Sequence, residues 1–323
     1  MHPLERTLAV HDLDATLLRG WPLPLPSPDG DKEERGHVLV LGGSREMPGA
    51  VILAATAALR AGAGKLTIAT GNSVAQLVAL AMPEARVLGL AETPAGGFTV
   101  DAVAQLDPLA DRINAILVGP GMRDEAANAE LVHALLPRLD GSATGVVLDA
   151  CAMGTLLYPP AHWPAGAAFR FAQPVIVTPH AGEMAHLTGA PKEEIVAAPD
   201  PRARAAAEAW NAIVTLKGAR TVIATPSGEL WQHEGGNVGL AISGSGDVLA
   251  GIIAGLAARG ATLAQAACWG VALHARAGER LAARLGVLGY LARELPEEIP
   301  ALLESVARQG AGDATTMRHA PLG

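Results

Sequence analysis

The chain has 323 residues, half of them apolar and few aromatic, enough to bury a large core in one or two α/β domains. A net charge of −8 with no Lys/Arg stripe excludes a nucleic-acid footprint. Its two cysteines, Cys151 and Cys268, give neither a disulfide framework nor a metal-ligand spacing, which suits a reducing compartment. No apolar run reaches the roughly 18 residues a membrane span needs, since Arg60 and Asp247 interrupt the best candidates.

Residues 1–20 read as a short helix, and its charges (His2, Glu5, Arg6, Asp12, Asp14) are not those of a signal peptide, so a cytoplasmic protein is expected. A Pro-rich connector follows from Trp21 to Gly30. Apolar β-type runs then recur at His37–Leu41, Leu66–Ala69, Arg86–Leu90, Ile113–Val118, Val146–Asp149, Val175–Thr178, Ile213–Leu216 and Thr221–Ala224, with Glu229–His233 as an edge strand. Helical patterns separate several of them, at Gly49–Ala61, Ser73–Leu80, Glu125–Leu139 and Arg202–Trp210. Short, continuously apolar strands between helices predict a mostly parallel sheet covered on both faces. From Asp247 onward the pattern is helical: Val248–Ala258, Leu263–Arg284 and a segment near Pro300–Gln309. The division expected is an N-terminal helix and connector over 1–31, one domain over 32–309 and a frayed tail over 310–323.

In open parallel sheets, ligands sit at the carboxyl ends of the strands. Polar and flexible residues gather there: Gly42-Gly43-Ser44, Gly119-Pro120-Gly121, Asp149-Ala150-Cys151, Thr178-Pro179-His180-Ala181-Gly182-Glu183 and Lys217-Gly218-Ala219-Arg220-Thr221. The first of these lacks the Gly-x-Gly-x-x-Gly spacing of a dinucleotide fingerprint, and no Walker-type loop is present. Lys217, with Gly218 and Thr221 beside it, could hold a phosphate or be a solvated rim charge. His180 could contact a ligand or cap its loop. Cys151 and Cys268 lack an activating neighbour and read as packing residues; His274 and Arg276 read as helix-surface residues.

The richest stretch is Ser243-Gly244-Ser245-Gly246-Asp247, a small-residue loop running into an apolar helix. Such a loop leaves backbone N–H groups unpaired at the positive end of the helix dipole, and glycines let an anion approach them. A carboxylate there is either the helix N-cap or a reactive group that meets something other than phosphate.

Taken together, Arg35-Gly36 through Ser44, Gly49-Ala50, Arg60-Ala-Gly-Ala-Gly64, Met82-Pro-Glu84, Gly119-Pro-Gly121, Thr178-Pro-His-Ala-Gly-Glu183, Lys217-Gly218 and Gly244-Ser-Gly-Asp-Val-Leu-Ala-Gly251 resemble the ADP-dependent NAD(P)H-hydrate dehydratases. The resemblance runs from about Lys32 to about Ile299. It implies an α/β, ribokinase-like three-layer sandwich, with a central mostly parallel sheet and helices on both faces. It also implies a carbon–oxygen lyase that repairs hydrated NADH or NADPH: ADP phosphorylates the C6 hydroxyl, and phosphate is then eliminated. Asp247 would be the general base, and Gly244, Ser245 and Gly246 would form an anion hole. Ala50, Gly121, His180 and Asp247 would line the hydrated dinucleotide. Lys217, Gly218, Ala219, Arg220, Thr221 and Gly246 would hold ADP or AMP, and Glu183 would organise Mg²⁺ through water. Relatives often assemble as homotetramers, which implies a homo-oligomer, and a separate epimerase is implied to act on the same metabolite.

Two positions depart from the family pattern. Cys151 stands where relatives usually carry Asp, and Ser243 where they usually carry Gly. Two other readings use the same residues: a small-molecule kinase of this fold, like hydroxyethylthiazole kinase, and a non-catalytic nucleotide-binding protein. The first would use Asp247 identically but gives the Thr178-Pro179-His180 loop no purpose. The second gains nothing from a carboxylate facing phosphates.

Overall fold

The computed structural model describes residues 9–316 other than Pro28 and Ala165, and side chains up to residue 306. The strands are β1 (Val10–Asp12), β2 (His37–Leu41), β3 (Lys65–Gly71), β4 (Arg86–Leu90), β5 (Ala115–Val118), β6 (Gly145–Leu148), β7 (Val175–Val177), β8 (Ala212–Leu216), β9 (Thr221–Ala224) and β10 (Leu230–His233). They form one ten-stranded sheet in the order β1-β10-β9-β8-β7-β6-β5-β2-β3-β4. Pairing is parallel except where β9 runs against β8 and β10. The β2–β4 strands build outward in one direction and β5–β8 in the other. The order therefore reverses between β2 and β5, and such a switch point opens a crevice at the strand ends.

Alternation across the pleat explains the continuous apolar runs. In β2, Val38 and Val40 enter one core while Leu39 and Leu41 enter the other, and all four are fully buried. The first core holds α2 (Pro48–Arg60), α3 (Ala75–Ala81), α8 (Ser245–Ala258), α9 (Leu263–Leu285) and α10 (Leu295–Thr316). Packed in the second are α4 (Glu125–Leu135), α5 (Ala181–Thr188), α6 (Lys192–Ala197) and α7 (Pro199–Trp210).

The abundance of Ala and Gly has a specific use in the first core. A Cβ added to Gly251 would collide with the carbonyl of Ala54, and one added to Gly255 with that of Ala58. These pairs repeat at i, i+4, so α2 and α8 touch backbone to backbone. Both helices present their N-termini to the crevice edge.

Three expectations about the chain ends change. The first 20 residues give β1 and then α1 (Ala15–Gly20); residues 1–8 lie outside the described residues. Asp14 caps α1, its carboxylate accepting from the Leu17 N–H at 2.8 Å. The residues before it pair in parallel with β10, so β10 is not an edge strand. At the other end, α10 starts at Leu295 with Pro300 inside it and runs past Gly310, where a frayed tail was expected. Residues 317–323 of that tail lie outside the described residues. The Pro-rich connector is strapped to α9, where Gln265 and Trp269 donate to the Trp21 carbonyl at 3.1 and 2.9 Å.

Candidate active site

At the switch point, the loops after β2 and β5 are tied together: the Gly43 N–H donates to the Pro120 carbonyl at 2.7 Å. Gly121 has φ +67°, which favours glycine, and a Cβ there would lie 2.9 Å from that of Ala50 in the first turn of α2. Ala50 and Gly121 thus form one bare wall of the crevice. Beneath it, the Ser44 and Thr70 hydroxyls are buried without a hydrogen-bond partner among the described residues.

The opposite wall is the start of α8. Its N-cap is Gly244 at φ +90°, with no side-chain cap, and Asp247 falls in the first turn. Asp247 is therefore not the cap, and the simpler of the two readings open to it is set aside. The Ser245 N–H is engaged with the Ile242 carbonyl at 3.3 Å, whereas those of Gly246 and Asp247 have no partner among the described residues. Of the Gly244, Ser245 and Gly246 amides read from sequence as the hole, only that of Ser245 has a partner among the described residues, and the Asp247 amide joins the open ones. Ser243 avoids the left-handed region, which falls on Gly244, so the serine there imposes no strain.

Asp247 shares its surroundings with a lysine and two more carboxylates. The Lys217 Nζ lies 3.5 Å from Asp149 Oδ1 and 3.7 Å from Glu183 Oε2, and 3.4 Å from where a Gly246 Cβ would be. Burial raises the Asp247 carboxyl, the Asp149 and Glu183 charges raise it further, and Lys217 opposes them; it rests at about 7. Burial pulls Lys217 down, but Asp149, Glu183 and Asp247 outweigh it, and the ammonium stays charged above its usual range. Such an arrangement joins a carboxylate poised near neutrality to free amides and a fixed cation.

His180 is the N-cap of α5: its Nδ1 accepts from the Gly182 and Glu183 N–H groups at 2.9 and 3.1 Å. Glu183 returns the bond, accepting from the His180 N–H at 2.7 Å. The loop-capping role is thus real, and it leaves the Nε2 edge of an exposed ring toward the crevice side of Glu183 and Lys217. A bridge pairs His180 with Lys217, the Lys217 N–H donating to the Pro179 carbonyl at 2.8 Å.

After β8, Gly218 and Ala219 are exposed in a turn closed by Thr221, whose hydroxyl accepts from the Gly218 N–H at 3.4 Å. Arg220 behaves otherwise. Its guanidinium is held by Asp200 at 2.8 Å and by Gln232, so only its backbone is offered to the turn.

Sequence reading missed two participants. Asp149 is 3% exposed and accepts from the Thr178 hydroxyl, so it fixes Lys217 from below. Its position directly after β6 was the available signal. His274 was expected on the surface; it is buried, and its Nε2 lies 3.0 Å from Ser245 Oγ. The helix period alone could not show which face of α9, apolar over most of its circumference, meets α8. Cys151 is half-buried, its sulfur accepting from Asn128 at 3.3 Å and its thiol raised by burial, in keeping with packing.

Among the described residues, no three His, Cys, Asp or Glu side chains converge as a ready metal cage. Mg²⁺ is commonly held by one or two carboxylates together with substrate phosphates, and Glu183 beside Lys217 fits that mode.

A sequence profile described as NAD(P)H-hydrate dehydratase matches residues 38–301. The chain is 48% identical over 299 residues to the ADP-dependent (S)-NAD(P)H-hydrate dehydratase of Xanthomonas campestris, covering 93% of this chain and 98% of that one. It is 39% identical over 292 residues to a bifunctional NAD(P)H-hydrate repair enzyme of Moorella thermoacetica, covering 89% of this chain but 53% of that longer protein. The crystal structure of the Bacillus subtilis ADP/ATP-dependent NAD(P)H-hydrate dehydratase, co-crystallised with ATP/Mg²⁺, superposes with a TM-score of 0.75 at 30% identity, over 92% of this chain and 99% of that one. With its switch-point crevice and its uncapped α8, the chain belongs to the NAD(P)H-hydrate dehydratase family and has the ribokinase-like α/β fold.

Proposed function

We propose that the protein dehydrates (S)-NADH hydrate or (S)-NADPH hydrate to the reduced cofactor, with ADP as phosphoryl donor. The observation that carries this reading is Asp247: a carboxyl held at about 7, in the first turn of a helix with no side-chain cap. In its charged form it takes the proton of the C6 hydroxyl as that oxygen bonds to the β-phosphorus of ADP. The bond from that phosphorus to the bridging oxygen breaks, and AMP leaves. The C6–O bond then breaks with loss of a ring proton, releasing phosphate and restoring the dihydronicotinamide.

The Gly246 and Asp247 amides and Lys217 stabilise charge on the moving phosphoryl group. Ala50 and Gly121 admit the hydrated ring, and the His180 Nε2 edge contacts the rest of the dinucleotide. Gly218, Ala219, the Arg220 backbone and Thr221 hold the nucleotide donor. Mg²⁺ would neutralise its phosphates, with Glu183 reaching the ion through water. The same reading includes a cytoplasmic homo-oligomer, for which the exposed Leu77 and Leu80 of α3 offer an apolar face, and a separate epimerase supplying the (S) form.

Incubation with hydrated NADH, Mg²⁺ and ADP should restore the near-ultraviolet absorbance of the reduced ring, with AMP and phosphate appearing in equal amounts. Turnover of a thiazole alcohol with ATP, and none of the hydrate, would place the protein among the small-molecule kinases.

A further inference from the structure

The first turn of α8 faces two demands that conflict. Its N–H groups must stay open to an anion, so the usual Ser, Thr or Asp cap, which would occupy one of them, is absent and Gly244 stands there. An uncapped first turn is also the part of a helix that frays most readily. The turn therefore needs an anchor that does not use its free amides.

One is present on the rear side. Ser245 opens α8 and is 4% exposed; its hydroxyl meets the Nε2 of His274, itself 9% exposed, across the α8–α9 contact. No other side-chain hydrogen bond is recorded for Ser245, Gly246 or Asp247 among the described residues. Burial and the Lys217 charge hold the imidazole neutral, at about 4, so it adds no cation beside the cradle. The bond also turns the Ser245 hydroxyl inward, away from the open amides.

We infer that His274 is a positioning residue: through Ser245 it anchors the first turn of α8 from behind and so sets the aim of Asp247 and the free amides, without itself touching substrate. This rests on the dehydratase reading for its kinetic test, but the anchor itself can be measured independently of any substrate.

The test compares His274→Leu, Ser245→Ala, the double variant and His274→Gln, which keeps a hydrogen-bonding side chain. We expect His274→Leu and Ser245→Ala each to lower kcat roughly ten- to a hundredfold, as misaimed catalytic groups do, with KM for hydrated NADH changed less than about twofold. The double variant should be no slower than the worse single one, because both break one link. His274→Gln should recover most of the rate. The acid limb of the pH–rate profile, set by Asp247 among Asp149, Glu183 and Lys217, should move in the two slow variants. In parallel, amide NMR of Ser245→Ala should show the Gly246 and Asp247 signals shifted or broadened. Losses that multiply in the double variant, or a lower Tm with kcat, pH profile and amide signals unchanged, would overturn the proposal and leave a packing role. Should His274→Leu fail to fold, Ser245→Ala decides by the same readouts. A wild type that does not turn over the hydrate sinks the dehydratase reading, while the amide signals still judge the anchor.

Discussion

Asp149 holds Lys217 from beneath the crevice, carboxylate to ammonium at 3.5 Å, while the Thr178 hydroxyl donates to that same carboxylate oxygen. The lysine therefore cannot swing freely, and its charge is fixed beside Gly246 and Asp247. Replacing it by Met removes the cation that opposes the rise of the Asp247 carboxyl. Lys217→Met should raise KM for ADP and lower kcat/KM roughly ten- to a hundredfold, the worth of a charged hydrogen bond. Its acid limb should lie above that of the wild type in the pH–rate profile. A limb that stays put would show that Lys217 does not face Asp247.

Asp247→Asn should keep ADP binding, measured by calorimetry, and lose roughly a hundredfold or more in kcat, the usual contribution of a positioned base. Retention of more than about a tenth of the rate would remove Asp247 from that role.

The same carboxyl has a stability signature. Its folded pKa, about 7, lies above the ordinary 3.8 of an aspartate, so its contribution is fully present below about 4 and is lost as pH rises toward and through 7. Asp247→Asn removes the buried charge. The variant should therefore gain most thermal stability over the wild type at pH 8, less at pH 5 and little at pH 4, by calorimetric Tm.

His274 carries the opposite sign. It is a base whose folded pKa, about 4, lies below 6.5, so its stability contribution is present above 6.5 and lost as pH falls through 6.5 toward 4. His274→Gln should flatten the decline in Tm across that window. An unchanged decline would mean the imidazole is not buried in the neutral form.

Gly251 tests the contact between α2 and α8. A methyl there would strike the Ala54 carbonyl, so Gly251→Ala should cost roughly 1–3 kcal/mol in denaturant unfolding despite its better helix propensity. The same change on an exposed helix would stabilise.

Most of the sheet was legible in the sequence because parallel strands buried on both faces are unbroken apolar runs, as in His37–Leu41 and Thr221–Ala224. The strand ends then marked where His180, Glu183 and Lys217 would meet, and the small-residue loop before α8 marked Asp247. What escaped was set by partners distant in sequence. Val10–Asp12 is exposed and only three residues long, and becomes a strand because Leu230–Gln232 offers it an edge. His274 has no local sign of burial, and Arg220 none of its attachment to Asp200 and Gln232, since both depend on how separate elements dock. Asp247 was read as a possible helix start, but the helix begins two residues sooner, at a serine whose hydroxyl turns toward α9.

The glycine row on α8 has a consequence for how two ligands are brought together. Ala50 rides on α2 and Asp247 on α8, and these helices are in backbone contact at Ala54–Gly251 and Ala58–Gly255 with no side chain between them to flex. In the reading proposed above, the wall that receives the hydrated ring and the α8 turn that meets the phosphoryl group are thus machined into a single rigid part. Wedging the helices apart would still let both ligands bind, yet hydroxyl and phosphorus would no longer line up.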